Sequence, residues 1–203
     1  IMSLRILPFR QYDENDVINL FALDSSSVNE ATTASGDGDA GVFVKVSAGD
    51  FNLEPVAYGD DAYLGKTDYP FVKAQYPSVQ LECAPAASGE ALLGITLRQT
   101  AKTDENGEKL LYNPVKAEEL GCVLPGQAVP VATRGVFTIT AGAFVGALTV
   151  GGGIALSATP GKVEACAATA PEKVGTVIGT GTRGSGTITD ALEGDYAVIA
   201  LGL

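Results

Sequence analysis

From Gly121 onward the chain is a succession of short Val/Ile/Thr/Ala runs cut apart by glycine, and this pattern narrows the fold more than any other feature. Sixteen of the 25 glycines fall between Gly121 and Leu203. An amphipathic helix does not survive a glycine every few residues. Short β-branched segments bounded by turn residues read instead as strands. The expected strands are Ala128–Ala132, Val136–Thr140, Ala147–Val150, Ile154–Ala158, Lys162–Ala165, Val174–Thr180, Gly186–Thr189 and Tyr196–Leu201. Between them lie the turns Thr133-Arg134-Gly135, Gly151-Gly152-Gly153, Thr159-Pro160-Gly161 and Glu193-Gly194-Asp195. Many short strands at this spacing predict an all-β fold, a small Gly/Ala/Thr/Val-rich barrel or sandwich.

The first 120 residues differ in surface. They carry 9 basic and 19 acidic side chains, against 4 and 5 in the remainder, so nearly all of the net charge of −11 sits there. Six of the seven tyrosines lie there too. The acidity argues against nucleic acid, which demands clustered Lys and Arg, and against an anionic membrane surface. An apolar content of 46% predicts a folded chain. No apolar run is long enough to span a bilayer, and Ile1–Arg5 lacks a signal-peptide core, so the expected location is the cytoplasm or a particle assembled there.

Three segments are expected: an extended N-terminal arm and flexible linker (1–40), a β-rich aromatic and proline segment (41–89), and a β-barrel domain (90–203). In the arm, Pro8 favours extended chain, residues 13–16 form a turn or one capped helical turn, and Val17–Leu23 reads as a buried strand. Such an arm either completes its own core or docks on a neighbour. The candidate partner-binding residues are Leu7, Pro8, Phe9, Tyr12, Val17, Ile18, Leu20 and Phe21, with Tyr69, Phe71 and Tyr76 of the aromatic segment second. Gly36–Gly41 reads as a solvated turn; its Asp-Gly-Asp spacing resembles part of a calcium loop without the closing Glu. Gly41–Val46 and Leu92–Arg98 are strands. Asn106-Gly107 turns a hairpin onto which Leu110–Asn113 folds back, and Pro114–Leu120 is the best helix candidate. At most one or two short helices are expected. Leu93–Leu97 echoes Val174–Ile178 in pattern, which suggests two strands of one β unit; one match does not make a repeat.

Catalytic chemistry is poorly supplied. The chain has no histidine, which removes His triads and imidazole ligands. Cys83, Cys122 and Cys166 have no metal-ligand spacing and read as small buried apolar residues in a reducing compartment. Asp60-Asp61 and Glu118-Glu119 are sequence neighbours that point apart in a strand. Gly179–Gly184 fits GxGxxG but is followed by loop and strand, not by the helix a dinucleotide fold requires. The expectation is no enzyme, no cofactor and no metal.

Two stretches carry a family resemblance. Gly121–Phe137, with Val129-Pro130-Val131-Ala132-Thr133-Arg134-Gly135-Val136, resembles the opening of the small β-barrel domain of tailed-bacteriophage head decoration (cement) proteins, and Ala197–Leu201 resembles its last strand. Tyr12–Leu23 resembles the starts of phage virion structural proteins. The resemblance implies a non-catalytic subunit on the capsid exterior that binds the major capsid protein, often as a homotrimer. The alternative in the same class is a head-fibre base, tail protein or receptor-binding module.

Overall fold

A computed structural model describes residues 5–23, 38–48, 79, 81–104, 106–184 and 194–202. Among the described residues, fifteen strands form three sheets. The N-terminal segment gives β1 (Ile6–Gln11), β2 (Val17–Ile18) and β3 (Ala22–Leu23). Next come β4 (Phe43–Ala48), β5 (Glu82–Pro85), β6 (Gly94–Thr96) and β7 (Gln99–Thr100). A 3-10 turn (Leu110–Tyr112) leads into the one α-helix among the described residues, α1 (Pro114–Glu119). After it run β8 (Cys122–Val123), β9 (Val131–Ala132), β10 (Gly135–Thr140), β11 (Phe144–Val145), β12 (Gly153–Leu156), β13 (Val163–Cys166), β14 (Gly175–Arg183) and β15 (Gly194–Leu201).

The larger sheet has the order β1-β10-β15-β14-β12-β13-β11, and the second β2-β9-β6-β4-β5-β3; β7 and β8 make a small parallel pair. Both large sheets are mixed, antiparallel throughout except for one parallel pair at one edge, β11 with β13 and β3 with β5. The fold is all-β, as the glycine-spaced runs predict. A closed barrel, one of the two expected architectures, does not form. The sheets stay open at β1, β11, β2 and β3, with only an isolated bridge between Ala22 and Ala128 reaching from β3 toward β9.

One core joins the two sheets. Phe43, Ile95 and Ala132 of the second sheet pack with Phe137, Ile139, Ile154, Val177 and Ile199 of the first. Strand alternation explains the selection: on β4, Phe43 enters this core while Val44 enters a second cluster with Leu23, Cys83, Val129 and Val131 on the other face. A third cluster of Ala101, Leu110 and Cys122 sits under α1, with Ala117 and Leu120 packed against it. Pro114 at the first turn pre-sets the helix, and Gly121 at φ +61° ends it.

Several local expectations change. Val17–Leu23 is not one strand; Asn19–Phe21 interrupt it between β2 and β3. Leu110–Tyr112 coils as a 3-10 turn and does not pair back as a strand; only Thr103 and Lys109 bridge across the turn. Ala147–Val150 is not strand. Gly146 at φ +74° and Gly151 at φ +80° bracket it with backbone that extended chain does not use, and the strand here is the earlier Phe144–Val145. Asp39 does not lie in a solvated turn. Its carboxylate meets the Arg5 guanidinium at 3.5 Å, with side-chain exposures of 4% and 3%. The echoing segments Leu93–Leu97 and Val174–Ile178 fall in different sheets, as β6 and β14. The expected strand Gly186–Thr189 lies outside the described residues.

Candidate functional site

The N-terminal segment is extended, and its strands pair within the chain. β1 runs antiparallel to β10, matching Ile6 with Ile139, Arg10 with Phe137 and Gln11 with Val136, with an irregularity between Ile6 and Arg10 that contains Pro8. Proline lacks the N–H a ladder needs, so it is tolerated on this edge strand. Ile6 is buried in the shared core. Asp13 then caps the 3-10 turn Glu14–Asp16, its Oδ1 accepting from the Asn15 N–H at 2.8 Å. β2 pairs with β9 through Val17–Ala132 and Ile18–Val131.

The candidate residues divide by burial. Leu7, Val17, Ile18 and Phe21 are half-buried, and Phe21 packs against the second core cluster. Pro8 is exposed, Phe9 is 75% exposed, Leu20 60% and Tyr12 36%. Tyr12 lies over Phe137, ring centroids 6.0 Å apart and planes 22° from parallel, and the Arg10 guanidinium sits 5.9 Å from the Tyr12 ring centre. Tyr69, Phe71 and Tyr76 lie outside the described residues.

Two of the candidates, Tyr12 and Val17, line an open groove of about 480 Å³ together with Arg10, Glu14, Asn19, Leu97, Arg98 and Pro130. Arg10 Nη1 donates to the Leu97 carbonyl at 3.4 Å, so β1 is tied to the end of the β6 segment. Arg98 Nη1 donates to both oxygens of Glu118, at 3.1 and 3.3 Å. Phe9 and Leu20 stand outside this groove as exposed apolar side chains. Sequence reasoning missed Arg10, Leu97, Arg98 and Pro130, because they are brought together only by the pairing of β2 with β9 and of β9 with β6.

Elsewhere the titratable groups have structural explanations. The Cys122 thiol is pushed up by burial, partly offset by the Gln99 side-chain amide that donates to it at 2.8 Å. Burial also pushes up Cys166, with Glu172 adding to the rise. Cys83, Cys122 and Cys166 are not joined by disulfides. Among the described residues, no group of three or more His, Cys, Asp or Glu side chains could hold a metal ion. Gly179–Arg183, the start of the GxGxxG string, continues β14 as strand. No family model matches the chain, and neither a curated protein nor a solved structure matches it.

Proposed function

We propose that this chain is a structural virion protein that binds the outer surface of a tailed-phage capsid and cements contacts between major capsid subunits. The observation that carries the reading is the outward apolar display of a segment otherwise locked into the fold. Phe9 projects from β1 and Leu20 from the link between β2 and β3, while Ile6 and Ala22 of the same segment are buried. A stable protein contact buries on the order of 1,000 Å². Large apolar side chains held on a rigid backbone supply such area with little ordering cost. The family resemblance of Tyr12–Leu23 and Gly121–Phe137 names the partner class, the major capsid protein, and a homotrimer as the functional form. The residues that engage the shell are Leu7, Pro8, Phe9, Tyr12, Val17, Ile18, Leu20 and Phe21, with Tyr69, Phe71 and Tyr76 as a second patch. No catalytic step is assigned, and the protein acts on the capsid exterior.

The test substitutes the two most exposed large apolar side chains of the N-terminal segment. Phe9→Ser with Leu20→Ser is expected to leave the melting transition intact and to weaken co-sedimentation with expanded capsid shells at least tenfold. Undiminished binding by the double variant would remove the arm as the docking element.

A further inference from the structure

The two large sheets are the same sheet twice. Setting β1 aside, the larger sheet orders its strands β10-β15-β14-β12-β13-β11, and the second orders them β2-β9-β6-β4-β5-β3. Numbered along the chain within each set of six, both read first, sixth, fifth, third, fourth, second. Directions agree at every step. Four pairings are antiparallel and the last, second with fourth, is parallel in both sheets.

The register agrees as well. Val44 pairs with Gly94 and Ile154 with Gly175; Ile95 pairs with Ala132 and Thr176 with Ala200. Three backbone hydrogen bonds between the third and fifth strands repeat as well, among them Thr96 N–H to Val42 O (3.0 Å) and Val177 N–H to Gly152 O (2.9 Å). Gly41 N–H to Thr96 O (2.7 Å) corresponds to Gly151 N–H to Val177 O (2.9 Å). Leu93 N–H to Val44 O corresponds to Val174 N–H to Ile154 O, both 2.8 Å. Gly41 and Gly151 share a positive φ, +90° and +80°, and so do Gly126 and Gly194, +86° and +115°. A Cβ on Gly94 would collide with the Ala132 carbonyl oxygen, and one on Gly175 with that of Ala200. Chance topology does not reproduce order, direction, register and left-handed glycines together.

The comparison separates framework from addition. The second unit passes from β14 to β15 through residues 184–193, whereas the first places residues 97–130 between β6 and β9, with β7, α1, β8 and a small core of their own. The other described addition is β1 with the turn after it, which precedes the first unit. The groove lies between these two additions: Arg10, Tyr12 and Glu14 come from β1 and its turn, while Leu97, Arg98 and Pro130 extend the β6–β9 ladder at the root of the other, the Leu97 N–H donating to the Pro130 carbonyl at 2.9 Å. Its chemistry differs from that of the chain as a whole. In a protein of net charge −11 it gathers two guanidiniums against a single lining carboxylate, Glu14. Arg98 already grips both oxygens of Glu118, whose side chain is 71% exposed, so the guanidinium is aimed to take a carboxylate. An exposed ion pair of this kind exchanges partners at little cost.

We infer that the chain is a tandem duplication of one six-strand unit, and that the groove between its two additions receives a carboxylate-bearing segment of the shell protein. The occupant rests on the cement reading above; the duplication does not. Two experiments on the full chain separate them. Replacing residues 99–123, β7 to β8 with everything between them, by a Gly/Ser linker as long as residues 184–193 is expected to preserve a single cooperative melt, because the second unit joins β14 to β15 through a segment of that length. Loss of cooperative folding overturns the duplication. Arg10→Glu with Arg98→Glu is expected to melt like the wild type and to need at least tenfold more protein to half-saturate expanded shells. Wild type and double variant binding shells equally well overturns the groove and leaves the cement reading standing. A wild type that binds no shells removes the cement reading and this occupant together. A charge reversal that changes only the protein's own oligomeric state, measured by sedimentation velocity, assigns the groove to a second copy and overturns the proposal.

Discussion

Removing the Asp39 carboxylate strikes the point where the N-terminal segment is tied to the rest of the fold. Asp39 and Arg5 meet at 3.5 Å with almost no solvent exposure. Each is anchored through its backbone. The Arg5 carbonyl accepts the Thr140 N–H at the end of β10, and the Asp39 carbonyl accepts the Thr96 hydroxyl at 3.2 Å. The pair therefore joins the larger sheet to the second one, at the root of the strand that presents Phe9. Asp39→Ala leaves a guanidinium in a site closed to water. Breaking a buried pair from one side costs about 3–5 kcal/mol. For a chain of this length each kcal/mol moves the melting midpoint by about 2–4 °C, so a drop of about 6–20 °C is expected. The companion variant Arg5→Met with Asp39→Leu removes both charges and is expected to recover most of the loss, because neither charge then has to be held away from water. Calorimetry on the three proteins measures this. Hydrogen exchange across residues 6–11 reports whether β1 loosens first in Asp39→Ala. A single variant that melts within about 1 kcal/mol of wild type, or a double variant worse than the single one, would refute the reasoning.

Two further outcomes are expected. Gly94→Ala and Gly175→Ala each drive a methyl group into a carbonyl oxygen at equivalent places in the two units, and each is expected to destabilise by about 1–3 kcal/mol. Gly184→Ala, where a Cβ meets nothing, is expected to stay within about 0.5 kcal/mol of wild type; urea melts of the three variants decide it. The hydrogen bond from Lys45, with the Ala87 N–H at 2.8 Å, holds the Glu90 carboxyl below its ordinary value. Its folded value is depressed, so its small contribution is present above the ordinary carboxylate range and is lost as the pH falls through the folded value. Glu90→Gln is expected to flatten that part of the acid melting profile, and an unchanged slope would count against the contact.

The strands were legible where side-chain type and glycine punctuation agreed. Val136–Thr140, Ile154–Ala158, Val174–Thr180 and Tyr196–Leu201 all overlap observed strands, and Pro114 marked α1. Ala147–Val150 failed because β-branched composition says nothing of the left-handed glycines on either side of it. The Arg5–Asp39 pair was invisible because its members are far apart in sequence and Asp39 sits among turn-forming residues. The duplication left a single trace, the resemblance of Leu93–Leu97 to Val174–Ile178. Equivalent positions share backbone demands and not side-chain volume: Phe43 stands where the second unit has Gly153, and Ile95 where it has Thr176. Only positions fixed by backbone geometry, such as Gly94 and Gly175, kept their identity. Of the candidate site, the exposed apolar residues of the first segment were legible from their type. The guanidiniums beside them were not, since nothing local draws Arg98 toward Arg10.

A subunit that cements a capsid makes the shell harder to break. The quantity to follow is the disruption temperature of expanded shells, read by light scattering, as purified protein is added to saturation. The midpoint is expected to rise with occupancy, to level off at a fixed ratio of this chain to shell subunit, and not to rise with the Phe9→Ser, Leu20→Ser variant. A midpoint that does not move at saturating protein would rule out cementing.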